Sequence, residues 1–267
     1  MKIFISCDIE GTCGCTDWNE TLIGNAEYER QVKEMQAEVV AACRGAIAGG
    51  ATEVYVKDSH DDARNLWFDD LPEQVHLIRG WLGSPYSMVA GIDESFDGCI
   101  FIGYHSPGGD NGSPLAHTMS YSQLFWIKLN DRIFSEFDMH TLACAHFGVP
   151  CLFLSGDEAI CERSTALVEG LATVPTKHCV AGATVNEHPA LVCKRIEEGV
   201  REAVKAKAAR LPEKPAELKL ELCFKSHEKA TKAGWYPGAE LVEPHVVRYY
   251  ARDYKDLLIG IMFMRGI

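Results

Sequence analysis

The sequence predicts an α/β fold: a mostly parallel sheet with flanking helices, followed by a smaller α+β lobe at the C-terminal end. Three observations predict it. Short apolar runs at 3–7, 53–57 and 99–104 each lead straight into acidic or imidazole side chains, as buried strands do when they deliver functional groups to one edge of an open sheet. A long helical stretch separates the first two runs and makes a βαβ unit, whose crossover is right-handed almost without exception. Beyond residue 215 the pattern changes: Leu218, Leu220, Leu222 and Phe224 alternate with polar residues, the mark of a strand with one wet face. The 267 residues therefore divide into an α/β domain over 1–210 and a smaller α+β lobe over 211–267 packed on it.

In chain order, Ile3, Phe4 and Ile5 form the first strand, which runs into Asp8, Ile9, Glu10 and Gly11. A loop over 11–24 leads to a long helix that opens at Glu27 and Tyr28. It stops at Gly49 and Gly50, because glycine accepts the left-handed conformation that ends helices. The second strand, 53–57, runs into Asp58, Ser59 and His60. A connecting region over 66–72, a short strand over 75–78 and a brief helix over 87–91 precede the third main strand, 99–104, which ends at His105. Residues 106–114 (Ser-Pro-Gly-Gly-Asp-Asn-Gly-Ser-Pro) cannot pack a core, so a mobile loop is expected beside His105. Runs at 124–129 and 132–136 flank Asn130 and Asp131 as a β-hairpin with a two-residue turn, closed by Glu136. Asp138 is placed to cap a helix that runs to Phe147 and ends at Gly148. A fourth buried strand, 150–155, leads into a helix over 157–170, and 178–181 reads as a short strand. Pro189 opens the longest helix, which runs to about Arg210 and gathers cations toward its far end. Residues 211–215 are a linker, the strand over 218–224 finds its partner at 246–250, and a helix over 254–264 closes the chain.

Composition narrows the function. A formal net charge of -12 argues against a nucleic-acid partner, which needs a basic face. No run approaches the roughly 18 apolar residues of a membrane span, so no membrane partner is expected. The opening apolar run is too short for a signal peptide and meets Asp8 at once. The expected location is the cytoplasm, and the 11 cysteines are expected to be reduced and mostly buried. Cys13-Gly14-Cys15 alone is weak grounds for a metal site.

The chemistry concentrates at the strand ends. Asp8 and Glu10 lie two apart, so in extended chain their side chains point the same way. Two neighbouring carboxylates repel each other unless a cation lies between them. Adding His60, His105 and Glu136 gives a mixed nitrogen and oxygen donor set that suits zinc, and manganese or cobalt as well. Five donors exceed what one catalytic zinc takes from protein. They suit two metals that share a bridging carboxylate, for which Asp8 is the choice. His117, past the Gly-rich loop, could act as acid, base or nucleophile, or could simply be a hydrogen-bonded loop histidine. Asp58 could orient a neighbouring ligand or cap a turn.

Asp8-x-Glu10-Gly11, Asp58-Ser59-His60, Gly103-Tyr104-His105, Ala116-His117-Thr118-Met119, and Asn130-Asp131-Arg132 with Ser135-Glu136 follow one another in an order and spacing that resemble the D-aminopeptidase (DppA) family of zinc peptidases, peptidase family M55. The likeness spans the chain and includes Gly-Trp-Tyr-Pro-Gly at 234–238. The resemblance implies two Zn2+ per subunit held by Asp8, Glu10, His60, His105 and Glu136, with His117 as the catalytic residue beside them. It also implies a ring-shaped homo-oligomer, a decamer, enclosing a chamber in which short peptides with D-residues at the amino end are cut. Lys57, Cys13, Cys15 and the sequence of 106–114 depart from the family pattern.

The expected reaction is metal-assisted peptide hydrolysis. One rival is a dinuclear phosphoesterase, although the D-x-H opening and G-N-H segment usual in such enzymes are missing. The other is a non-catalytic assembly protein in which metals only hold strands together.

Overall fold

The computed structural model describes residues 1–266. Its first sheet has seven strands. β1 (Lys2–Cys7), β2 (Glu53–Asp58), β3 (Val75–Ile78), β4 (Gly98–Tyr104), β7 (Cys151–Asp157), β8 (Ala172–Val180) and β9 (Ala183–Asn186) lie in the order β3-β2-β1-β4-β7-β8-β9. Every neighbouring pair is parallel except β8 with β9, so the sheet is mostly parallel with an antiparallel edge. The chain leaves β1 for β2 on one side, while β4 pairs on the other. The carboxyl ends of β2, β1 and β4 therefore border a topological switch point, where open α/β sheets place their sites.

Alternation along the central strands assigns the two faces. Ile3, Ile5 and Cys7 of β1 join Ile100 and Ile102 of β4 in one core, packed against α1 (Tyr28–Ala48) and α4 (Pro189–Ala206). Phe4 and Phe101 point into the other core, with Phe137 and Ala143 of α2 (Glu136–His146) and Ile160 of α3 (Glu158–Thr165). That second core continues into a five-stranded antiparallel sheet of order β11-β12-β10-β5-β6. Its strands are β5 (Leu124–Leu129), β6 (Arg132–Ile133), β10 (Lys219–Phe224), β11 (Ala239–Glu243) and β12 (Val246–Tyr250). β5 and β6 come from before residue 210 and the other three from after 211, with α5 (His227–Ala233) and α6 (Tyr254–Arg265) packed behind them. Among the described residues no helix is long and apolar enough to cross a membrane.

Several local expectations are corrected. Glu136 does not close the hairpin, because β6 ends at Ile133 and Glu136 is the first residue of α2. Asp138 is not the cap: Ser135 is, with its hydroxyl accepting from the Asp138 N–H while Asp138 reaches back to the Ser135 N–H. α3 ends at Thr165 rather than 170, and α4 at Ala206 rather than Arg210. β8 begins at Ala172 instead of 178. β9, β11 and α5 have no counterpart among the elements that the sequence predicts. Of the 11 cysteines, all unpaired, eight are buried.

Candidate metal centre

The six residues singled out in the sequence come together at the carboxyl edge of the parallel sheet. Cys7 pairs with Asp58 of β2 and with Ile102 of β4, so the residues just beyond these strand ends must meet. Asp8 and Glu10 leave β1, His60 follows β2, and His105 follows β4. The approach is tight. The Asp8 N–H donates to the Ile102 carbonyl (2.9 Å) and the Gly11 N–H to the Gly103 carbonyl (2.8 Å). A Cβ on Gly11 would lie 1.7 Å from the Tyr104 carbonyl oxygen, and one on Gly103 2.3 Å from that of Asp8. Gly103 also has φ +70°, which suits glycine and turns the chain toward His105.

Asp8 stands at the middle of the cluster. Its Oδ1 lies 3.1 Å from His60 Nδ1, and its Oδ2 lies 3.5 Å from His105 Nε2. Glu10 Oε2 is 3.0 Å from His60 Nδ1, and Glu136 Oε2 is 3.6 Å from His105 Nε2. On the far side His117 Nε2 is 3.6 Å from Glu136 Oε1. Two donor groups result, Asp8–Glu10–His60 and His105–His117–Glu136, all buried.

Each imidazole is fixed by a backbone carbonyl. His60 Nε2 lies 2.8 Å from Thr21 O, His105 Nδ1 2.9 Å from Ser106 O, and His117 Nδ1 2.9 Å from Leu115 O. A carbonyl only accepts, so each of these nitrogens carries its hydrogen. In the neutral ring the other nitrogen presents a lone pair to the carboxylates. Lone pairs facing carboxylate oxygens repel unless a proton or a metal lies between them. Glu10 Oε2 and His105 Nε2 are moreover buried without a hydrogen-bond partner among the described residues. This donor set fits a pair of divalent cations, and ligating histidines are characteristically held in this way through their second nitrogen.

The electrostatics of the metal-free chain point in the same direction. Burial opposes charge on His60, but Glu10 and Asp8 outweigh it and hold the imidazole well above its usual range. His105 is raised likewise against burial by Glu136 and Asp8. Burial also opposes charge on Asp8, but the facing His105 and His60 imidazoles hold its carboxyl well below the usual range. Glu136 is held at about 2, where burial is outweighed chiefly by His105. Protons here stand where cations would. His117 differs: burial and then the charge of His105 push it down.

Other parts of the site were not legible in the sequence. Among the described residues Asp58 makes no hydrogen bond to the His60 ring. It accepts from the N–H groups of Asn65 (2.6 Å) and Leu66 (2.8 Å) and so ties down the loop after β2. The Met119 N–H donates to Glu136 Oε1 (2.6 Å). The 106–114 segment is packed at both ends: Ser106 donates through its N–H and its hydroxyl to Asp157 (2.7 Å each), and only residues 109–111 are exposed. A cavity of about 370 Å³ opens over the cluster, walled by Trp18, Trp81, Tyr121 and Met88, with Arg265 reaching in from α6. Trp18 stacks on Tyr121 with ring centroids 4.1 Å apart and meets His117 edge-on at 5.2 Å. A wider groove of about 1500 Å³ along α1 and α4 contains none of the six residues.

Fold and site together define a metal-dependent hydrolase of the α/β class. Comparison with known proteins makes this specific. The family model Peptidase_M55, D-aminopeptidase, matches residues 1–263, and the chain belongs to that family. The D-aminopeptidase of Bacillus subtilis (strain 168) is 29% identical over 273 residues, covering 99% of this chain and 96% of that protein. The solved structure of the Zn-dependent D-aminopeptidase DppA from Bacillus subtilis, a self-compartmentalizing protease, is similar at a TM-score of 0.92 and 27% identity, covering 100% of this chain and 97% of that one. The expectations of an α/β fold and of an aminopeptidase-class hydrolase are thereby borne out.

Proposed function

We propose that this chain is a zinc-dependent aminopeptidase that removes the N-terminal residue, a D-amino acid, from short peptides or amides. One Zn2+ would be held by Asp8, Glu10 and His60, and a second by Asp8, His105 and Glu136. The observation that carries this reading is the two-sided carboxylate of Asp8, whose oxygens face His60 and His105 separately. Bound zinc would supply a Lewis acid for the scissile carbonyl and a lowered pKa for the attacking water.

His117 moves the proton. Its Nδ1 is committed to Leu115 O, and burial keeps the ring neutral, so Nε2 is a free acceptor. It takes a proton as water adds to the carbonyl carbon and returns it to the departing amine nitrogen as the C–N bond breaks. Trp18 and Tyr121 wall the site and limit its water.

The D-preference is supported by the name of the Bacillus subtilis relative. A ring-shaped homo-oligomer, a decamer, is supported by the self-compartmentalizing character of the DppA neighbour. It is also supported by exposed apolar side chains such as Trp235 (84% exposed) that subunit contacts would cover. We place the protein in the cytoplasm, with its cysteines reduced.

The test loads the protein with zinc and compares D- and L-alanine p-nitroanilide with p-nitrophenyl phosphate. Hydrolysis of the D-anilide is expected. Cleavage of the phosphate ester alone would make the protein a phosphoesterase. Chelation that unfolds an inactive protein would reduce the metals to a structural role.

A further inference from the structure

We propose that Arg265 is the residue that binds the free C-terminal carboxylate of the peptide substrate. The inference rests on the aminopeptidase reading and adds the identity of the far end of the substrate.

Arg265 is the last residue of α6 and lines the cavity over the metal-ligand cluster. It is the one Arg or Lys among the described residues of that lining. Among the described residues its single hydrogen bond is a long one, Nη1 to the Met119 carbonyl at 3.3 Å. Nε is buried with no partner, and no ion pair forms within 4.0 Å among the described residues. A guanidinium has five N–H donors, and burying them unpaired is costly unless a ligand takes them. The nearby carboxylates are turned toward the imidazoles, which leaves the cation for something that enters.

The position suits a carboxylate one residue beyond the cut. Met119 lies between the two groups: its carbonyl accepts from Arg265 while its N–H donates to Glu136. One residue therefore separates the guanidinium from the ligand cluster. In a dipeptide the terminal carboxylate also lies one residue, about 3.8 Å of chain, past the scissile carbonyl. The planar fork of Arg matches a carboxylate with two parallel bonds.

The test uses full-length zinc-loaded protein with alanylalanine in its D,D and L,L forms, the C-terminal amides, and alanine p-nitroanilide. In the wild type, kcat/KM for the free acid should exceed that for the amide by about tenfold or more. In Arg265→Met that preference should collapse to about unity, mainly through KM, with zinc content as in the wild type. Arg265→Lys should keep part of the preference, since it keeps the charge without the fork. Equal losses on acid and amide, or a fall in bound zinc, would overturn the proposal and make Arg265 a prop for Met119 and Glu136. If the wild type cleaves none of these compounds, the aminopeptidase reading fails. Calorimetry then still decides the role of Arg265: tighter binding of alanylalanine than of its amide, lost in Arg265→Met, supports it, and equal binding overturns it.

Discussion

His117 lies flat against His105, with ring centroids 4.2 Å apart and 8° between the planes. The two rings do different work. His105 turns Nε2 toward Asp8 and Glu136, whereas His117 Nε2 faces only Glu136, at 3.6 Å. Replacing His117 by Ala should therefore lower turnover by about 10² to 10⁴-fold, the range for loss of a positioned acid–base group, while two zinc equivalents remain bound. Elemental analysis beside kcat decides this. If metal content falls together with activity, His117 is a ligand.

Asp8 is the shared group, and its loss should cost both metals. In Asp8→Ala neither His60 nor His105 keeps its central carboxylate. Glu10→Ala, by contrast, removes a contact to His60 alone. Elemental analysis should give less than one equivalent for Asp8→Ala and about one for Glu10→Ala. Retention of two equivalents by Asp8→Ala would rule out the bridge.

Metal binding should release protons. In the metal-free chain the pKa values of His60 and His105 are raised, so both rings carry protons at neutral pH that a cation must displace. The sign for stability follows. Raised histidines stabilise the fold fully below their unfolded pKa of about 6.5, and this contribution is lost as pH rises through the higher folded values. The melting temperature of chelator-treated protein should fall on the alkaline side and recover with zinc. Calorimetric zinc titrations in buffers of different ionisation enthalpy count the protons, and a count of zero would contradict the electrostatics.

The readable part of the fold was the part with strong burial contrast. β1, β2 and β4 are nearly continuous apolar runs because both faces of the sheet are covered, and their ends named Asp8, His60 and His105. β9 and β11 have no buried residue, so no alternation marks them, and α5 buries only Ala230 and Ala233. β8 was seen only at its end because Thr176 and Lys177 are polar yet buried: Lys177 reaches the carbonyls of Glu10 and Cys15. Glu136 reads in the sequence as the end of a strand, since Ser135 and Asp138 form their capping box across a sequence that also continues the hairpin pattern. The partners of the histidines were invisible because they are backbone carbonyls, and any residue type supplies one. Arg265 lies 129 positions beyond Glu136, so its contribution exists only once α6 has docked.

Glu38 offers a pH test away from the metal ligands. It sits on α1, where Oε1 accepts from the Cys13 N–H (2.8 Å) and Oε2 is buried without a partner among the described residues. Burial raises its pKa to about 8, against the lowering effects of that bond and of Lys177. The folded chain thus keeps a proton that the unfolded chain releases near pH 4.5. Stability then falls as pH rises from about 4.5 to about 8, by roughly 1.4 kcal/mol per pH unit and on the order of 5 kcal/mol in all, with no further change above. Glu38→Gln keeps an oxygen for the Cys13 N–H and removes the titration. Its stability relative to wild type should climb steadily between pH 5 and pH 8 in denaturant titrations with saturating zinc in both proteins. A constant difference across that range would mean that Glu38 ionises at its ordinary value, with water reaching the carboxylate beneath the loop after Glu10.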